Sequence, residues 1–232
     1  RRRSAGLSQW RASRPISGNW SLVPNVTRVD LLEEAELGKD RARILLQRYG
    51  VVFRELLARE LPALRWGGVF RSLRIMELSG EVVGGHFFTG VGGIQFATPA
   101  ALRDIRDNLD RQDIFWLNAA DPASLCGVDI AELKAFLPER YPSTYLVFHG
   151  PNLVIVARKH GADLEIKTEP DNPELARYVN KLKTLMTRSY NPRKSFKVKT
   201  INGEDSTSCR YTEFFEGYGF IRDYQGLSLW LV

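Results

Sequence analysis

An α+β fold follows from the order of three kinds of pattern in the 232 residues. Stretches with apolar residues at helical spacing come first, a glycine-punctuated hairpin follows, and short apolar runs separated by turn formers fill most of the second half. The expected architecture is a winged-helix domain over residues 18–110 followed by an antiparallel β-barrel-like domain with attached helices over residues 111–232, preceded by a basic arm or linker over residues 1–17.

The elements take their places as follows. Gly18-Asn19-Trp20-Ser21-Leu22-Val23-Pro24 is a short apolar stretch between turn formers and is expected to be an opening strand. Ala42, Ile44, Leu45, Leu46 and Tyr49 mark a first helix that stops at Gly50, and Val51-Val52-Phe53 leads into a second short one, Arg54 to Glu60, cut off by Pro62. A third begins after Gly67-Gly68 and carries Val69, Phe70, Leu73, Met76 and Glu77 as far as Ser79-Gly80. The period then changes: Glu81 to Val83, Gly84-Gly85-His86-Phe87-Phe88, Gly90 to Gly93 and Ile94-Gln95-Phe96 form a hairpin. Three helices and a hairpin are the plan of a winged helix, in which the third helix can lie in a groove and the wing beside it. Thr98 as N-cap and Pro99 at the first helical position open a fourth helix to about Asn108.

Strands are expected at Ile114 to Leu117, Thr144 to Phe148, Leu153 to Ala157, Leu164 to Ile166, Phe196 to Ile201 and Leu227 to Leu231. Gly150-Pro151-Asn152 and His160-Gly161-Ala162-Asp163 supply turns between them. A helix from Asn172 to Thr187 interrupts the strands, and Tyr211 to Glu216 forms another. Short strands at turn-sized spacing suggest a partly closed barrel.

Composition narrows the classes. Hydrophobic residues are 44% and charged residues 26%, enough for a core, which excludes wholesale disorder. No apolar run approaches the roughly 18 residues of a membrane span, and Arg1, Arg2 and Arg3 are not followed by the hydrophobic segment of a signal peptide. Cys126 and Cys209 are the only cysteines, too few for a disulfide framework or a four-cysteine zinc site, so a reducing, cytoplasmic compartment is expected. The first residue is not Met, and the chain is expected to be part of a longer one. The net charge of +6 is concentrated in the arm: Arg1, Arg2, Arg3, Arg11 and Arg14 lie in the first fourteen residues with no acid among them, leaving the body close to neutral.

The motifs of a self-contained nucleoside triphosphatase, a serine hydrolase and a zinc protease (GxxxxGK[ST], GxSxG, HExxH) are all absent. Gly90-Val91-Gly92-Gly93 lies inside a hairpin rather than between a strand and a helix, so it is read as a turn and not a phosphate loop. His86, His149 and His160 have no second ligand at metal spacing, and no metal is expected. What remains is a pattern suited to nucleic acid. Arg71 and Arg74 at i and i+3, with Arg65 just before the third helix, share a face opposite Val69, Phe70 and Leu73. His86 sits in the wing, as a base or phosphate contact or simply an exposed histidine. From Arg177 to Lys199 there is no acid, while Arg177, Lys181, Lys183, Arg188, Arg193, Lys194, Lys197 and Lys199 occur with Tyr178, Tyr190 and Phe196 interleaved. Cations for phosphates and aromatics for bases are what single-strand binding needs. Alternation puts Lys197 and Lys199 on one face of their strand. Asp121, before Pro122 in Asn118-Ala119-Ala120-Asp121-Pro122, is either a turn former or a catalytic carboxylate.

Several motifs in order resemble the C-terminal, non-motor part of the large helicase-related (Lhr) family of DNA helicases. They are Gly18-Asn19-Trp20-Ser21-Leu22-Val23, Leu46-Gln47-Arg48-Tyr49-Gly50-Val51-Val52, Met76-Glu77-Leu78-Ser79-Gly80-Glu81-Val82 with Gly85-His86-Phe87-Phe88, Gly92-Gly93-Ile94-Gln95-Phe96, and Ala119-Ala120-Asp121-Pro122. Asn19 stands where family members often carry Arg. The resemblance implies a nucleic-acid-binding accessory module of an ATP-dependent DNA helicase that holds single-stranded or partly duplex DNA, in DNA repair, beside RecA-type motor domains of the same polypeptide. ATP and magnesium would then be cofactors of those motors and not of this chain, and the location would be cytoplasmic and nucleoid-associated. It also implies an alternative, a DNA glycosylase acting on uracil or an alkylated base, since the C-terminal region of long members looks like the alkylpurine glycosylases. No glycosylase motif matches residue by residue, and Asp121 is the carboxylate to test for that role. A protein-docking or oligomerisation module is the third reading.

Overall fold

The computed structural model describes residues 21–22, 30–187, 189, 192 and 194–230. The chain divides into two units, Arg1–Glu34 and Ala35–Val232; the elements below lie in the second, apart from the first turn of α1. The basic arm and most of the expected opening strand lie outside the described residues, and Ser21 and Leu22 carry no strand pairing.

Helix α1 (Leu31–Tyr49) starts well before the Ala42 at which apolar spacing becomes visible. Its earlier turns are rich in Leu, Glu, Ala and Lys, which favour helix by propensity without marking a face. Gly38, Ala42, Leu45 and Leu46 form its buried stripe. β1 (Val51–Val52), α2 (Arg54–Leu57) and a 3-10 turn (Pro62–Leu64) lead to α3 (Trp66–Leu78). A Cβ on Gly38 would run into the Ser72 hydroxyl, so glycine lets α1 and α3 approach closely there. β2 (Val83–Gly85) and β3 (Gln95–Ala97) form the expected hairpin, and α4 (Pro99–Asn108) begins as expected, with the Thr98 hydroxyl accepting from Ala101 N at 3.1 Å. β3 is the central strand of three, with Val51 and Val83 both opposite Ala97 from its two sides. This is the winged helix: three helices, a strand contributed from between the first two, and a hairpin. Leu45, Val52, Leu56, Leu57, Val69, Leu73, Met76 and Phe96 form its core, joined by Val128 and Ile130 from the second half.

The second half contains β4 (Ile114–Asn118), α5 (Ala131–Phe136), β5 (Tyr145–His149), β6 (Asn152–Arg158), β7 (Asp163–Ile166), α6 (Leu175–Thr187), β8 (Ser195–Val198), β9 (Thr200–Ile201), β10 (Glu204–Asp205), α7 (Thr212–Gly217), β11 (Ile221–Asp223) and β12 (Gly226–Trp230). Six strands make one sheet in the order β10-β9-β7-β6-β5-β4, and three make another, β11-β12-β8. The larger sheet is mixed, because β7 and β9 pair parallel. Its ladder does not close among the described residues, so the architecture is α+β with open sheets. The single strand expected from Phe196 to Ile201 is two strands in different sheets, with Lys199 between them. The cause is a crossing at Ala162, whose carbonyl accepts from both Lys199 N (2.7 Å) and Thr200 N (3.1 Å).

Helix α6 turns Leu175, Tyr178, Val179, Leu182, Leu185 and Met186 into the larger core. Tyr178 also reaches His149 Nδ1 at 2.7 Å, tying the helix to β5. At the start of β12, Gly226 has φ +131°, and a Cβ there would collide with the Val198 carbonyl. Two substitutions test the packing in urea denaturation. Leu73→Ala, at a fully buried site, is expected to cost about 2–5 kcal/mol. Gly226→Ala, which adds backbone strain to a collision, is expected to cost more than about 1 kcal/mol.

Candidate nucleic-acid interface

Helix α3 buries Val69, Ser72, Leu73 and Met76. Arg71, Arg74, Ile75 and Leu78 are exposed at i, i+3, i+4 and i+7, so they form one stripe away from the core. Phe70, expected on the buried face, lies at its border, 36% exposed, with its ring against Trp66 at 5.3 Å and Phe96 at 6.1 Å. The three arginines differ. Arg74 is paired with Glu77 one turn on, and Arg65 bends back so that its Nε donates to the Glu60 carbonyl at 3.0 Å. Arg71 makes no ion pair with a described residue. Two cations beside two aliphatic side chains can meet phosphates and base or sugar edges together.

The wing beside this helix takes its shape from one buried side chain. Gln95 Oε1 accepts from Phe87 N (3.1 Å) and Phe88 N (3.0 Å), and its Nε2 donates to the Phe88 carbonyl at 3.0 Å. Gln95 is fully buried, so all three bonds are made away from water. His86 lies just after β2 and is exposed.

In the second half the basic run separates. Phe196 and Val198 are buried while Lys197 and Lys199 are not, as alternation predicts. Lys197, however, is engaged: its Nζ lies 3.2 Å from Asp223 Oδ2 and donates to Gln225 Oε1 at 2.9 Å. The Asp223 carboxyl is held below its usual value, first by the Gln225 N–H, then by the Ser228 hydroxyl and by Lys197. Arg177 pairs with Glu174 at 2.5 Å. Lys194 and Lys199 are exposed, and Arg193 lies outside the described residues with Arg188 and Tyr190.

Asp121 sits in a loop held by two arginines that sequence reasoning did not single out. Arg59, from the winged helix, donates to the carbonyls of Pro122 (2.6 Å) and Ser124. Arg140 donates to those of Ala119 (3.3 Å), Ala120 (2.6 Å) and Asp121 (3.1 Å). The Asp121 carboxylate itself accepts from Ala123 N at 2.8 Å, the bond of an Asx turn. Beside the loop, a cleft of about 470 Å³ lies between the winged helix and the second half. Tyr49, Phe53, Phe88, Val91, Ala123, Leu125 and Leu133 line it, with Arg48 and Glu132 at its polar side. Asp121 does not line the cleft; Ala123, two residues on, does. Among the described residues, no group of His, Cys, Asp or Glu could hold a metal ion, and no helix is long and apolar enough to cross a membrane.

Next to the cleft, Glu60 accepts from Tyr49 and from Arg48, the latter at 2.9 Å. Burial pushes its carboxyl up, but the Tyr49 and Arg48 hydrogen bonds outweigh that and leave it below the ordinary carboxylate value. A lowered folded pKa means that the contribution to stability is complete above the unfolded value near 4.3 and disappears as pH falls through the folded one. Glu60→Gln is therefore expected to lower stability at pH 7 and to reduce the loss between about pH 5 and pH 3, as measured by urea midpoints across that range.

Residues 32–114 match the winged-helix domain of large helicase-related proteins. An Escherichia coli K12 protein described as an Lhr helicase/uracil glycosylase is 27% identical over 227 residues, covering 92% of this chain and 14% of that protein. A Mycolicibacterium smegmatis protein described as an Lhr helicase/probable uracil glycosylase is 26% identical over 174 residues, covering 70% of this chain and 11% of its own length. The chain thus spans a small part of the curated relatives it matches. The matched segment coincides with the helices, hairpin and capping helix described above, so residues 32–114 are similar, in sequence and in fold, to the winged-helix domain of large helicase-related proteins.

Proposed function

We propose that this chain is a nucleic-acid-holding accessory module of an Lhr-type, ATP-dependent DNA helicase, engaging single-stranded DNA in a repair setting. The observation that carries the reading is the outward stripe of α3, where Arg71, without an ion pair among the described residues, and Arg74, paired with Glu77, lie beside the wing of a winged helix. RecA-type motor domains of the same polypeptide would supply ATP and magnesium chemistry, and the module would hold the strand they move. Cytoplasmic, nucleoid-associated placement follows from that role. Within the interface, Arg71 is the principal phosphate ligand. Arg74 contributes less because Glu77 already neutralises it, Arg65 supports the helix start, and His86 is exposed on the wing.

Binding of fluorescent single-stranded DNA over a salt series tests this. Arg71→Ala is expected to lower the slope of log affinity against log salt by about 0.7, the value of one phosphate contact on a single strand. Arg74→Ala is expected to lower it less. Unchanged slopes in both would remove α3 from the interface.

A second reading, a DNA glycosylase acting on uracil or an alkylated base, is favoured by the position of the cleft against the Asp121 loop and by the descriptions of both relatives. A base turned out of its strand would enter the cleft, and Asp121 would leave its turn bond to act on the sugar or a water. Release of uracil from a single-uracil strand, lost in Asp121→Asn with unchanged strand binding, is the expected outcome of that reading. Absence of release by the unaltered chain would exclude it. A docking role would instead show as strand binding that is absent and self-association or motor-domain binding that persists.

A further inference from the structure

Large aromatic surface is exposed on the small β11–β12–β8 sheet of the second half. Register places Ile221, Ser228 and Lys197 across from one another on one face, with Trp230 farther along that face opposite Ser195. Phe196, Val198 and Leu227 face the core. Along this face Ile221 is 65% exposed and Trp230 59%, and Tyr224, in the turn between β11 and β12, is 93% exposed, while Ser228 between Ile221 and Lys197 is buried. Scattered apolar residues on a surface need no explanation, but a tryptophan, a tyrosine and an isoleucine on one three-stranded sheet form a patch.

Beside Trp230 runs a groove of about 330 Å³, walled on its other side by Asn180, Lys183, Thr184 and Thr187 from the last turns of α6. The Lys183 ammonium is held over the Tyr218 ring at 4.0 Å, which leaves it at the rim without an acid partner. Lys194 immediately precedes Ser195, the residue opposite Trp230, and is exposed. Neither lysine pairs with an acid among the described residues. Lys197, by contrast, is spent on Asp223 and serves the sheet. An indole face, two unpaired ammonium groups, and hydroxyl and amide groups between them match a planar base joined to a phosphate. The centre of a protein interface is depleted in lysine, which makes this composition a poorer fit to a protein partner.

We propose that Trp230 and the groove along α6 form a stacking site for an unpaired nucleic-acid strand. One base lies on the indole, and the flanking phosphates meet Lys183 and Lys194. The site rests on the nucleic-acid reading above and extends it to a second surface, built from the opposite end of the chain.

The test is anisotropy binding of labelled oligothymidine, oligouridine and a blunt DNA duplex to the whole chain and to Trp230→Ala, Trp230→Phe, Lys183→Ala/Lys194→Ala and Arg71→Ala variants. The altered side chains are surface ones, and far-UV circular dichroism checks that each variant is folded. Trp230→Ala is expected to weaken both single strands about fivefold or more, Trp230→Phe to restore most of that loss, and the duplex to be little affected. The double lysine variant should flatten the salt dependence. The DNA and RNA arms decide which strand is preferred. If the strands bind and Arg71→Ala weakens them while Trp230→Ala does not, the stacking site is wrong and the α3 reading stands. If no strand binds, both fall. If Trp230→Ala alters self-association and leaves strand binding unchanged, the patch is a protein interface and the proposal is overturned.

Discussion

Five carbonyl oxygens of one short loop converge on two guanidinium groups, and the relation between the two halves of the body depends on that convergence. Arg59 holds Pro122 and Ser124 from the winged-helix side, while Arg140 holds Ala119, Ala120 and Asp121 from beyond α5. The loop's N–H groups are equally accounted for. Ala119 donates to Thr144, Ala120 to the Asn118 side chain, Asp121 to the Asn118 carbonyl, Ala123 to the Asp121 side chain and Ser124 to the Asp121 carbonyl, while Pro122 has no N–H to place. Such pairing lets an irregular segment sit against a core without orphaned main-chain groups, although the buried Nε of Arg59 itself has no hydrogen-bond partner among the described residues. Only arginine presents several donors in a rigid fork with a charge that persists at any working pH, so lysine at either position would leave carbonyls without partners. The cleft between the halves has its walls set by the same loop, because Ala123 and Leu125 continue from it into the lining.

Counting charges misleads in this chain, and locating them corrects the count. Arg74, Arg177 and Lys197 look alike in sequence, yet each is answered by a carboxylate in the fold, at distances along the chain from three residues to twenty-six. Of the cations that the sequence brings forward, Arg65 and Arg71 in the winged helix and Lys181, Lys183, Lys194 and Lys199 in the second half have no acid partner among the described residues. A near-neutral body can therefore present two separate positive places without a strong overall field.

The parts of the fold that were legible are those whose cause is local. The periodicity of Val69, Leu73 and Met76, the Thr98 cap with Pro99, and the glycine-rich hairpin each state their own structure within a dozen residues. The illegible parts depend on partners far along the chain. Val51 pairs with β3, a strand more than forty residues later. Lys199 marks a change of sheet only because Ala162 accepts its N–H. Arg59 reads as one more helix cation until Pro122 and Ser124 are found beside it. That Trp230 points outward is not legible either, since alternation within β12 cannot say which face the sheet buries. Asp121 was readable as a turn former from the proline after it, and its Asx bond is present.

The wing owes its shape to main-chain bonds received by the Gln95 amide, and the side chains of its tip take no part in them. Shape and chemistry are thereby uncoupled in that loop. Residues such as His86 and Thr89 can be exchanged by drift without refolding the hairpin, whereas a change at Gln95 would alter the loop at once. A family built on this plan can diversify what the wing touches while keeping where it stands, and the amide marks the boundary between the part of the hairpin that is free to evolve and the part that is not.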